Sequence, residues 1–269
     1  MPTASPPRTP ARRRPDRWSR ENARVSLVRP IAPPRPLGFA ARPDALVIDL
    51  ARTALIVIDM QNEFLDPAGW FASVRGADVS PLASVVAPIN RLSAACRRAR
   101  VPIIHLNWGV RRDLANLPPN VLDKGSDCGA VPGYGDRIDA GEVLVEGSWG
   151  ASGVSAVERE ASDLHVSKHR LSGFHDNELD QILRRLRVDT LLYTGVNLDR
   201  CVFATLMDGC FRGYDAVLVE DATTTVSSAE VSDAITFLVR ELYGFTTTSA
   251  ELLDALRTTT TDTGEEACR

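Results

Sequence analysis

The sequence of 269 residues has no run of about 18 apolar residues, so nothing in it reads as a membrane-spanning helix. It has no excess of positive charge. Lys and Arg number 31 against 35 Asp and Glu, and the net charge of −4 argues against a nucleic-acid partner. Cysteine is scarce: Cys96, Cys128, Cys201, Cys210 and Cys268 are odd in number, irregular in spacing and contain no CxxC pair. That pattern argues against a zinc site or a disulfide framework and fits reduced thiols in the cytoplasm. The histidines His165, His169 and His175 have no ligand spacing, and His105 falls inside an apolar run, where it reads as core. Neither a metal nor a cofactor is expected.

Proline and arginine are concentrated at the start, as in Ser5-Pro6-Pro7-Arg8 and Arg12-Arg13-Arg14-Pro15. Such a segment buries little, so residues 1–24 are expected to form a disordered tail. No apolar run follows the arginines, so twin-arginine export is not expected. Residues 25–52 are more apolar and read as an N-terminal arm lying on its own domain or on a neighbouring subunit. From Thr53 the pattern alternates. Residues 54–59 (A-L-I-V-I-D) form a continuous apolar run of the kind found in buried parallel strands. Residues 81–100 place Leu82, Val85, Val86, Ile89 and Leu92 on one helical face. Further strands are predicted at 101–106, 164–168, 190–194, 216–220 and 245–247, and helices at 177–187, 201–212, 228–242 and 250–256. Alternation of this kind predicts a parallel sheet covered by helices on both faces, with the domain spanning 53–256. Residues 257–269 are expected to fray. Residues 109–160 are irregular, and an excursion of that length inside a compact domain is more often functional than idle.

In open parallel sheets, ligands bind beyond the carboxyl ends of the strands, near the point where strand order reverses. Three reactive residues arrive at that edge: Asp59 ends the first strand, Lys168 ends the third, and Cys201 follows the fourth at a helix start. Taken singly each has a plain reading, as a turn residue, a solvated lysine and a small buried hydrophobe. Together they form a coherent set. A helix N-terminus and a nearby cation lower a thiol pKa from about 8.5 into a range of roughly 3.5 to 7.5. A carboxylate can take the thiol proton and return it to a leaving nitrogen. The turn from Gly195 to Arg200 would aim backbone N–H groups at a developing oxyanion.

The stretch T-A-L-I-V-I-D-M-Q-N-E-F (53–64) resembles the opening motif of isochorismatase-like cysteine hydrolases, the family that includes nicotinamidases and N-carbamoylsarcosine and biuret amidohydrolases. V-S-K-H-R-L-S-G-F (166–174) resembles its lysine segment, and T-G-V-N-L-D-R-C-V (194–202) its nucleophile loop, followed by G-Y-D-A-V-L-V-E-D-A (213–222). The motifs stand in the family's order and cover roughly residues 53–250. The resemblance implies a three-layer α/β/α sandwich with a six-stranded parallel sheet, Rossmann-like. It also implies a catalytic triad of Asp59, Lys168 and Cys201, a cis peptide before Asn197, and an oxyanion hole from the N–H groups of Asn197 and Cys201. Many members are dimers or tetramers, so a homo-oligomer is expected. Asn107 and Gly109 stand where nicotinamidases carry an Asp-x-His metal motif, so a zinc site of that type is not expected.

Candidate substrate contacts are Gln61, Phe64, Trp108, Trp149, Phe174 and Asn197, with Trp70 as a further pocket wall. Trp108 and Trp149 are either part of a lid or anchors of the excursion on the core. Gln61 either touches substrate or satisfies backbone groups. Arg111, Arg112 and Arg200 are candidate carboxylate clamps, since guanidinium forks fit carboxylates. The expected activity is cysteine-dependent hydrolysis of a C–N bond in a small amide, ureido or carbamoyl compound through a thioester. The alternatives are vinyl-ether hydrolysis of an isochorismate-like molecule and a catalytically silent regulatory or scaffold homologue.

Overall fold

The protein is described by a computed structural model covering residues 18–29 and 31–265. Most of the expected tail, residues 1–17, lies outside the described residues. The chain divides into two compact units between Pro33 and Pro34. In the first, Ser19–Glu21 pairs antiparallel with Arg24–Ser26. In the second, the chain that reads as an arm builds a hairpin, Pro36–Phe39 against Leu46–Asp49. Its alternate residues Leu37, Phe39 and Ile48 are buried. The boundary therefore falls at Pro34, and residues 34–52 belong to the second unit, with Leu37, Phe39, Ile48 and Leu50 buried in its core.

Six strands form one parallel sheet: β1 (Thr53–Ile58), β2 (Ile103–Trp108), β3 (Leu164–Lys168), β4 (Thr190–Val196), β5 (Asp215–Thr224) and β6 (Gly244–Thr247). The spatial order is β3-β2-β1-β4-β5-β6. Five helices flank the sheet: α1 (Val86–Arg98), α2 (Leu179–Leu186), α3 (Phe203–Phe211), α4 (Ala229–Leu238) and α5 (Ser249–Glu265). The fold is a three-layer α/β/α, Rossmann-like sandwich. Every residue of β1 is buried, because it lies at the centre with β2 and β4 on either side. This central position explains its unbroken apolar run. β5 is twice the expected length, and α5 continues past residue 257, since an established helix adds a hydrogen bond for each residue it extends. Among the described residues no helix is long and apolar enough to cross a membrane.

Strand order reverses between β1 and β4. There the crossovers leave in opposite directions and a crevice opens beyond the carboxyl ends. The excursion of residues 109–160 is pinned over this end. Val110 bridges Val145, Gln61 bridges Gly153, and a short helix, Pro119–Ser126, lies between them in sequence.

Candidate active site

The chain turns sharply as it leaves β1. Asp59 has φ +51, a left-handed conformation that Asp tolerates better than most residues. Its N–H donates to Leu106 O at 2.9 Å, and Gln61 N–H closes onto Asp59 O at 2.8 Å. Next to it, one residue before the end of β4, Gly195 has φ +107, and a Cβ there would lie 2.1 Å from Ile58 O. Only glycine lets β4 run this close to the last residue of β1. The Val196–Asn197 peptide is cis. The Asn197 side chain is held by Val226 N–H, which donates to Oδ1 at 3.1 Å. Cys201 lies in a π-helical turn, Leu198–Val202, that leads into α3. Register places Lys168, at the end of β3, opposite Trp108 on β2.

These strand ends bring three reactive groups together. Lys168 Nζ lies 3.0 Å from Asp59 Oδ2, donates to Arg170 O at 3.2 Å and sits 4.3 Å from the centre of the Trp108 ring. The Trp108 indole Nε1–H donates to Cys201 Sγ at 3.3 Å. Trp108 N–H is shared by Asp59 Oδ1 at 3.1 Å and Gln61 Oε1 at 2.8 Å. The Cys201 thiol is within hydrogen-bonding reach of the Asp59 carboxylate. No aligned hydrogen bond saturates Asp59 Oδ2, which faces the ammonium only as an ion pair. Asp59, Lys168 and Cys201 are all buried.

Burial pushes Asp59 above the usual carboxylate range, against the opposing pulls of the Lys168 charge and the Cys201 thiol. Burial also pushes the Cys201 thiol up to about 12, with the Asp59 charge adding to the effect and Lys168 opposing it. This corrects the expected direction of the thiol shift. Desolvation outweighs the cation, and the nucleophile candidate rests as a thiol.

A cavity of about 490 Å³ opens over Cys201. Phe64, Trp108, Asn197, Asp59 and Cys201 line it, and Lys168 is completely enclosed behind them. Trp70, Phe71 and Tyr134 add aromatic walls. Tyr134 lies 5.0 Å from the Trp108 ring and 5.6 Å from that of Trp70. Three of the expected substrate contacts do not line this cavity. Gln61 is fully enclosed, and its amide nitrogen donates to Trp108 O at 2.8 Å and Ala151 O at 2.7 Å, tying the excursion to β2. Trp149 is largely exposed, with its carbonyl accepting from Asn62 Nδ2. Phe174 is buried against Tyr214, ring centres 5.6 Å apart. Arg111 and Arg112 are engaged at the surface by Asp113 and Glu142. Arg200 does line the cavity, with Arg75 and Lys124.

Phe71, Tyr134, Arg75 and Lys124 were not anticipated. The consecutive aromatics Trp70-Phe71 and the tyrosine framed by glycines in Gly133-Tyr134-Gly135 were the available signals. Among the described residues, no group of three or more His, Cys, Asp or Glu is arranged to hold a metal ion.

Known proteins match this architecture. The isochorismatase domain family model matches residues 53–251. A cysteine hydrolase from Pseudomonas syringae pv. phaseolicola 1448A is 28% identical, with 78% of this chain and 95% of that chain covered and a TM-score of 0.67. An isochorismatase family protein from Desulfovibrio vulgaris subsp. vulgaris str. Hildenborough is 28% identical over 77% of this chain and 98% of that one, with a TM-score of 0.62. An N-carbamoylsarcosine amidase from Thermoplasma acidophilum is 25% identical over 74% and 96%, with a TM-score of 0.57. With the family model spanning the whole sheet and the motif residues meeting at its switch point, the chain belongs to the isochorismatase family, whose neighbours here include a cysteine hydrolase and an amidase.

Proposed function

We propose that the protein hydrolyses a C–N bond of a small amide, ureido or carbamoyl compound, with Cys201 as nucleophile and a thioester as intermediate. One observation carries this reading. The Cys201 sulfur and a carboxylate with an unsaturated oxygen share the wall of one cavity, backed by an enclosed ammonium. Burial makes Asp59 a stronger base than an exposed carboxylate, which suits it to take the thiol proton as Sγ attacks the carbonyl carbon. The N–H groups of Asn197 and Cys201 receive the oxyanion. The C–N bond then breaks, and the proton held by Asp59 passes to the leaving nitrogen. Water attacks the thioester carbon, Asp59 takes the water proton, and the acid product leaves as the thiol re-forms. The Lys168 charge opposes the upward push of burial on Asp59 between these transfers.

A cytoplasmic homo-oligomer fits the same reading. The described cysteines are free, and α4 buries none of its residues in this chain although Phe237 on it is apolar. Sedimentation of the purified protein measures the oligomer.

Ammonia release from a panel of primary amides, carbamoyl amino acids and biuret tests the activity, with Cys201→Ala run alongside. Release by the wild type should fall at least about 100-fold in the variant. Equal release by both proteins would refute the thioester route. Cleavage of a vinyl ether at equal rates by both, with no amide turned over, would establish the ether reading instead.

A further inference from the structure

The charges around the cavity do not balance. Its lining has one acid, Asp59, and that carboxylate is already paired with Lys168. The remaining charged lining residues are all cations: Arg75, Lys124 and Arg200. They come from three separate segments: the turn after the Trp70–Ser73 helix, the Pro119–Ser126 helix and the turn that carries Cys201.

None of the three is engaged by a carboxylate at hydrogen-bonding distance among the described residues. The Arg75 guanidinium lies over the Trp70 ring at 5.7 Å and that of Arg200 over the Phe71 ring at 5.2 Å. The acid next to Arg200 pairs with it only at a separation longer than a hydrogen bond. Asp199 accepts from Thr225 Oγ1 at 2.5 Å and Ser227 Oγ at 2.8 Å, and it stands 3.7 Å from Arg200 Nε. Stacking on rings holds a guanidinium in place and leaves its in-plane donors open. Cations converging on a concave wall repel one another, and the potential they create attracts a ligand of opposite sign.

We propose that the substrate is an anionic amide or ureide, a small molecule carrying a carboxylate at the end remote from the scissile carbonyl, and that Arg75, Lys124 and Arg200 select it by that charge. This rests on the amide-hydrolase reading for the identity of the scissile bond. Guanidinium forks recognise the planar, two-oxygen geometry of a carboxylate. The aromatic side chains Trp70, Phe71, Trp108 and Tyr134 in the same lining suit a short planar or apolar spacer.

The test uses two alkylating probes that differ in charge, iodoacetate and iodoacetamide. In each, the Cys201 sulfur displaces iodide and forms a thioether. Both meet the same thiol, so the ratio of their rates cancels its intrinsic reactivity and reads the charge of the cavity. Modification is followed on the Cys201 peptide by mass spectrometry, with N-acetylcysteine as the reference thiol. The iodoacetate-to-iodoacetamide ratio at Cys201 should exceed the reference ratio by at least about 10-fold. It should fall towards the reference in Arg75→Gln/Arg200→Gln and fall part way in Lys124→Gln, which alters one exposed side chain. A ratio at or below the reference, or one unchanged in both variants, overturns the proposal. Calorimetric binding of succinamate and of its methyl ester to Cys201→Ala is the second measurement. Equal affinity for the two also overturns the proposal. Anion preference in both experiments, with no amide hydrolysed by the wild type, would uphold the charge selection and reject the amide chemistry.

Discussion

Asp59 and Asp163 are both buried carboxylates facing cations near the same sheet, yet their environments drive them in opposite directions. Asp163 accepts from Arg97 Nε at 3.1 Å, Arg97 Nη2 at 2.6 Å and Glu160 N–H at 3.0 Å, and it faces His105 Nε2 at 3.3 Å. Burial pushes it upward, but these partners outweigh burial and hold it below the usual range. Asp59 has one backbone donor, the Cys201 thiol and an ion pair, and burial prevails. A carboxylate with both oxygens saturated is fixed as an anion and serves as a strut. One left short of partners can gain and lose a proton, and in this chain it is the latter that lies in the cavity wall.

Four substitutions probe this contrast. Asp59→Asn should lower kcat/KM at least about 100-fold on any amide the wild type hydrolyses, the usual scale for losing a general base. Near-wild-type turnover would place the base elsewhere. Arg97→Ala should cost about 3 kcal/mol of folding stability, because it strands the Asp163 charge in the interior. Denaturant melts measure that loss, and kcat/KM should stay within about threefold of wild type since Arg97 does not line the cavity. A collapse of rate at unchanged stability would make the Asp163 cluster part of the chemistry.

His105→Gln concerns the pH dependence of the same strut. Burial, with the Arg159 charge adding, lowers His105 from 6.5 to about 4. Below 6.5 the unfolded chain therefore binds a proton that the folded chain refuses. This contribution is fully present above 6.5 and is lost as pH falls towards 4. The variant should flatten the decline in melting temperature across that window, removing about 3 kcal/mol of acid sensitivity. An identical decline would assign it to other groups. Lys168→Met should give the smallest change in mechanism. Asp59 loses its carboxylate form as pH falls through its raised folded value, and removing the opposing cation raises that value further. The acid limb of the kcat/KM profile should move to higher pH, whereas a shift to lower pH would contradict the ion-pair role.

Much of the candidate site was legible from residue order. Asp59, Lys168 and Cys201 each follow a β-like run, and the strand order that makes those run ends adjacent is the one a doubly wound sheet adopts. The direction of the Cys201 shift was not legible, because neighbour types can be read from a sequence but the depth of burial cannot. Gln61 was undecided for a related reason. Its amide partners, Trp108 O and Ala151 O, belong to segments far along the chain. Tyr134, Arg75 and Lys124 sit in turns and short helices whose spacing has no period pointing at the cavity. Trp149 and Phe174 were misplaced because an aromatic beside glycines reads the same whether it faces a cavity, the solvent or another ring.

The close approach of β4 to β1 at Gly195 has a consequence for how this scaffold can diversify. Residues 53–58 of β1 lie in continuous backbone register with residues 190–195 of β4, so Asp59 and Cys201, the proposed base and nucleophile, both follow from hydrogen-bonded strands. The Tyr134 wall and the Lys124 cation come from residues 109–160, a segment outside the sheet that is docked on the turn after β1 by bridges, backbone hydrogen bonds and side-chain ties. Exchanging that segment between relatives should therefore change what the cavity admits while leaving the reacting groups in place, so that selectivity and chemistry can evolve as separable modules.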